Sequence, residues 1–161
     1  MRAVGPSQAT EEATAAGIYG VIVGAAVMAA VHAPSAAGTA TAVLVTLSIY
    51  WAAERYARIV AARIHQGDRP SGETVRQQLT SGWEMITTSL LPLAVLLMIR
   101  LLGTNLRTAV IWALVCSTVL LCRAGWRVGR EGRLTIAERF VSSTVAGLFG
   151  VGLIVLKTLL H

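Results

Sequence analysis

Three glutamates and a pair of threonines hold the positions from which this chain could do chemistry. Glu54, Glu84 and Glu138 each stand at an end of a long apolar run, and Thr87 and Thr88 follow Glu84 within about one helical turn. Carboxylates at the mouth of a spanning bundle concentrate cations, and hydroxyls and freed carbonyls behind them replace part of a hydration shell. Pro92 lies four residues beyond Thr88. It has no N–H, so the Thr88 carbonyl loses its helical partner and a kink is expected there. Neighbouring helices or water can satisfy such a group inside a membrane. The other reactive residue types do not assemble. His32, His65 and His161 fall on separate segments, and Cys116 and Cys122 are six apart, off a shared helical face. There is no phosphate-cradling glycine loop and no Ser-His-Asp arrangement. The expectation is a protein that is not an enzyme and carries no cofactor, with any metal ligands left unknown.

The elements that must position these residues follow from composition. Of 161 residues, 55% are hydrophobic and 14% charged. Soluble domains carry about 25% charged residues, so this chain cannot cover a water-facing surface. Five apolar runs approach the roughly 20 residues that span a bilayer. They predict an all-α integral membrane protein with spans at about 13–33, 37–53, 83–102, 106–126 and 136–160, forming one domain over 13–161 behind a flexible N-terminus, 1–12. That N-terminus lacks a basic stretch leading straight into a short apolar core and cleavage site, so the first run reads as a retained span. Glu11 and Glu12 are expected just ahead of the first helix, at the positive end of its dipole.

Span two is expected to leave the bilayer at Tyr50 and Trp51 and continue in water to Gln66, with Glu54 and Arg58 in the favourable i,i+4 order. Gly67–Gly72 then breaks the helix, and Ser71 is a plausible cap for a short amphipathic helix through Leu79. Small residues mark packing faces, because lipid supplies no hydrophobic force between helices. Ala16, Gly20 and Gly24 recur every fourth position in span one, and Gly147 and Gly150 lie in span five. Arg100 and Lys157 are expected to reach the far interface.

Charge sets the sidedness. Eleven of the fourteen basic residues, and all eight acidic ones, fall on the side of the N-terminus, the 54–82 segment and the 123–139 segment. The positive-inside rule places that side in the cytoplasm and the C-terminus outside. Thirteen of the fourteen basic residues are arginine, which suits a GC-rich bacterial genome and a bacterial plasma membrane. The pI of 10.4 follows from this anchoring and does not require nucleic acid. Arg123, Arg127, Arg130 and Arg133, in RAGWRVGREGR, are placed to meet anionic lipid head groups.

Five spans, an inside N-terminus, a second helix projecting into the cytoplasm and a glycine-rich first span resemble the vacuolar iron transporter family. Leu90-Leu91-Pro92 is similar to the family's proline-bearing third span, Gly125 to Arg133 to its basic loop, and Ala146 to Leu156 to its glycine-rich last span. The resemblance implies a dimer, packed through the first spans, that exports divalent metal in exchange for protons. The family's first-span acidic residue is absent, since that region reads Ile18-Tyr19-Gly20-Val21. The metal-collecting insert is reduced to 66–82, with only Asp68 and Glu73. The expected function is a small dimeric transporter or channel for a cation, metal or proton, with a cytoplasmic vestibule of Glu54, Glu84, Thr87, Thr88 and Glu138. The alternative is a non-transporting scaffold or accessory subunit of a larger complex. A reporter active only outside the cytosol should work when fused after His161; activity of a cytosol-only reporter there would reverse the sidedness.

Overall fold

Helix start and stop signals divide the chain cleanly. The computed structural model describes residues 6–66, 83–131 and 135–160, and these form five helices: α1 (Pro6–Ala30), α2 (Ala36–Gln66), α3 (Glu84–Leu101), α4 (Leu106–Glu131) and α5 (Ile136–Leu160). Each contains a segment long and apolar enough to cross a membrane. The chain is an all-helical, multi-pass membrane protein. Residues 67–82, which hold the expected Ser71-capped helix, Asp68 and Glu73, lie outside the described residues, as do Arg133 and His161.

Two boundaries differ from the sequence expectation. α1 begins at Pro6, because proline suits the first helical position, where its missing N–H is no loss. Glu11 and Glu12 therefore fall beyond the first turn, not ahead of the helix. α4 continues to Glu131, so the arginine-rich stretch expected as a loop is helical through most of its length. Gly125 is there for contact: a Cβ on it would lie 2.9 Å from the Ser142 carbonyl oxygen of α5. Elsewhere local chemistry sets the ends. Ser35 caps α2 by accepting from the Gly38 N–H at 3.0 Å, and Gly103, at φ +83°, closes α3.

α1 is the hub and touches each of the other four helices. α2 packs on α1 and α3, α5 packs on α4 and α1, and α2 and α5 do not meet among the described residues. Accordingly 44% of α1's spanning segment is buried against 11% of α5's. α5 exposes Phe140, Val141, Leu148, Phe149 and Val155. In water this would be an aggregation-prone patch; lipid covers it at no cost.

Close backbone approach holds the bundle. A Cβ on Gly20 would run into the Met85 backbone, Gly17 faces Thr88, and Gly24 faces Ser89 and Val43. With Ala16 also buried, the small-residue face of α1 is spent on its own chain and is not free for a second copy. The second seam joins α4 to α5, where Gly150 faces Thr118 and Gly147 faces the Cys122 sulfur. Three side chains then bond across helices to backbone carbonyls: Thr88 to Gly17 at 3.2 Å, Ser143 to Cys122 at 3.1 Å and Lys157 to Val31 at 3.2 Å. Such bonds contribute about 0.6–2 kcal/mol each in a membrane. Lys157 is buried, and its ammonium meets the Val31 carbonyl just past the C-terminal end of α1, where the dipole favours a cation.

The Trp51–Trp83 pair (5.5 Å between ring centroids) and the Trp126–Phe140 pair (5.2 Å) lie at the same end of the antiparallel bundle, the arginine-rich end. Aromatic rings gathered at one end are what a membrane–water interface favours. Gly20→Val should destabilise the protein by more than the ~1–3 kcal/mol of ordinary overpacking, because backbone must give way. Gly152→Ala, with nothing within 4 Å of its Cβ, should be neutral or slightly stabilising. Thermal unfolding in detergent measures both.

Candidate functional site

A cavity of about 470 Å³ opens between α1, α3 and α4 in their arginine-rich halves. α1 lines it with Ala13, Thr14, Gly17, Ile18 and Val21; α3 with Glu84, Thr87, Thr88 and Leu91; α4 with Leu120, Leu121, Ala124 and Arg127. The opposite half of the same space is filled by Met28, Leu93, Leu96, Ala109, Ala113 and Leu114, all buried. The cavity therefore does not continue into that half of the bundle.

Its polar groups are few, and most are already occupied. The Thr88 hydroxyl donates to the Glu84 carbonyl at 2.6 Å, with the Gly17 carbonyl at 3.2 Å as a second acceptor. The Thr87 hydroxyl lies 3.4 Å from the same Glu84 carbonyl. A hydroxyl has one proton, so Thr88 offers a ligand only lone pairs, whereas Thr87 keeps its proton free to turn toward one. Charge remains. Glu84 sits in the first turn of α3, where the helix dipole favours a carboxylate, and Arg127 approaches from α4. Both side chains are exposed, and neither meets an opposite charge within the described residues.

Of the three glutamates expected at a vestibule, this cavity takes in Glu84 and not Glu54 or Glu138. Glu84, Thr87 and Thr88 line the cavity together. Glu54 lies on α2 and pairs with Arg58 at 2.6 Å, a half-buried i,i+4 pair of about 0.5 kcal/mol. Glu138 closes a capping box at the start of α5: it accepts from the Thr135 N–H and hydroxyl, both at 2.8 Å, and its own N–H reaches the Thr135 hydroxyl at 3.4 Å. The motif Thr-x-x-Glu is legible in the sequence. Pro92 is fully buried within a helix that continues unbroken from Glu84 to Leu101.

Arg127 is the site residue that sequence reading assigned elsewhere. Arg123, Arg127 and Arg130 are exposed along one side of α4, within about 60° at 3.6 residues per turn. Their spacing continues the register of span four, which was the available signal. His32 is exposed, both cysteines are free and half-buried, and among the described residues no three His, Cys, Asp or Glu come together to hold a metal. No protein-family model, curated protein or solved structure matches this chain.

Accessibility can be mapped directly. With Cys116 and Cys122 replaced by alanine, Thr87→Cys should react with a membrane-impermeant maleimide from the arginine-rich side. Ser117→Cys, buried at 1% exposure, should stay unlabelled from either side.

Proposed function

We propose that this protein is a small membrane carrier that admits a solute into the α1–α3–α4 cavity from its arginine-rich side. The positive-inside bias assigns that side to the cytoplasm, in a bacterial plasma membrane. The observation that carries this reading is the meeting of Glu84, Thr88 and Arg127, from two helices, in one cavity sealed at its far end. A continuous open channel does not fit that seal, whereas a pocket loaded from one side does.

A bare divalent ion is a poor fit as the solute. A hard cation takes six or more oxygen ligands, and this cavity offers one carboxylate and one guanidinium among largely apolar walls. This argues against metal export as the resemblance to the vacuolar iron transporters would have it. A homo-oligomer, if formed, uses a surface other than the small-residue face of α1. The second reading, a non-transporting scaffold or accessory subunit, is favoured by the filled far half and by the bare apolar face of α5.

Proteoliposomes separate the two. Movement of protons, manganous ion and a head-group-labelled phospholipid should be followed against empty vesicles. A carrier moves at least one of them, and Glu84→Gln lowers that flux roughly tenfold, as expected for loss of one charged hydrogen bond. No flux above background would leave the scaffold reading.

A further inference from the structure

We infer that the occupant of this cavity is an amine-bearing phospholipid from the leaflet on the arginine-rich side, its ammonium at Glu84 and its phosphate at Arg127. The inference rests on the reading of the cavity as a solute site and names the class of solute.

Four observations converge. First, the walls are apolar, with Ile18, Val21, Leu91, Leu120 and Leu121 supplying most of the surface, so the occupant has an apolar body. Second, the charges are of opposite sign, line the same cavity and do not pair with each other. A purely anionic head is repelled by Glu84 and a purely cationic one by Arg127, whereas a zwitterion satisfies both. Each contact so made is a charge-assisted hydrogen bond. Third, the Thr88 proton is already given to a backbone carbonyl, so the strongest polar groups left to a ligand are the two charges, Glu84 and Arg127. Fourth, Arg123 and Arg130 flank Arg127 on one side of α4, and the Trp51–Trp83 and Trp126–Phe140 pairs set this end of the bundle at head-group depth. The cationic side of the site therefore lies where phosphates are, and the apolar walls run from there toward the bilayer centre. A volume of about 470 Å³ falls within the ~300–1,000 Å³ of small-molecule sites: room for a head group and the start of its acyl chains, and far more than a single ion fills.

The test is native mass spectrometry of the intact chain released from micelles holding equal phosphatidylethanolamine, phosphatidylcholine and phosphatidylglycerol. The wild type should retain one phosphatidylethanolamine in about tenfold preference over phosphatidylcholine, whose quaternary nitrogen has no N–H to donate to Glu84. Glu84→Gln should erase that preference while leaving phosphate-bearing lipids bound. Arg127→Gln should weaken retention of both zwitterionic lipids, and Ala124→Leu, which keeps the charges and fills space, should weaken retention of all three. Equal retention of the zwitterionic lipids by the wild type, or preference for phosphatidylglycerol, would overturn the inference without any variant having to fold. Selective retention without flux in the vesicle assay would defeat the carrier reading and leave this one standing. Flux of another solute without head-group selectivity would do the reverse.

Discussion

The bundle depends on one contact, the backbone of α1 against the backbone of α3 at Gly20 and Met85. In lipid, burying an apolar side chain against another gains little, because the acyl chains it leaves are equally apolar. Association has to come from dense packing and from polar groups with no better partner. Glycine at 20 permits the first, and Thr88 reaching the Gly17 carbonyl one turn away supplies the second. The α4–α5 seam repeats the device, with Gly125, Gly147 and Gly150 giving close approach and Ser143 bonding the Cys122 carbonyl. The cavity lies beside these seams, where close packing stops. Ala13 and Gly17 on α1 and Ala124 on α4 remain small, but the facing residues of α3 are Glu84 and Thr87, whose polar ends have no reason to enter an apolar gap.

The same economy explains why one carboxylate, and not three, belongs to the cavity. Glu54 and Glu138 each have a partner within four residues, and a local partner costs little chain entropy to reach. Glu84 has no basic residue at i+3 or i+4; those positions are Thr87 and Thr88. Its carboxylate is left to line the cavity with Arg127, which comes from a helix distant in sequence. The cavity thus carries one charge of each sign.

Much of the fold was legible because length and apolarity report on solvent: every expected span contains a helix, and four of the five starts agree within a residue or two. What failed was local. Pro6 reads as a loop residue in a polar N-terminus, yet at the first helical position it starts a helix. Gly125 and its arginine neighbours read as a loop, yet that glycine is a contact for α5. Periodicity identified the small-residue face of α1 but not its partner, since the same spacing serves a neighbouring helix of the chain or a second copy. Likewise Glu84 could be seen in the sequence. Arg127 as its counterpart could not, because their meeting depends on how α3 and α4 are placed across the bundle.

That placement also fixes what any passage to the far side would require. Leu91 lines the cavity, and Pro92, the next residue, is buried at the level where the space becomes filled. At this boundary α3 lacks the backbone bond that Thr88 would otherwise receive from residue 92, so bending here breaks one fewer hydrogen bond than anywhere else along the helix. Below it, Gly20–Met85 and Thr88–Gly17 tie α3 to α1; above it, Leu93 and Leu96 pack in the core with Ala109, Ala113 and Leu114 of α4. Side-chain packing between apolar surfaces can be exchanged for lipid at small cost, whereas the glycine seam cannot separate without losing its hydrogen bond and its closest packing. The weaker half of α3 is therefore the half beyond the proline, on the sealed side of the cavity.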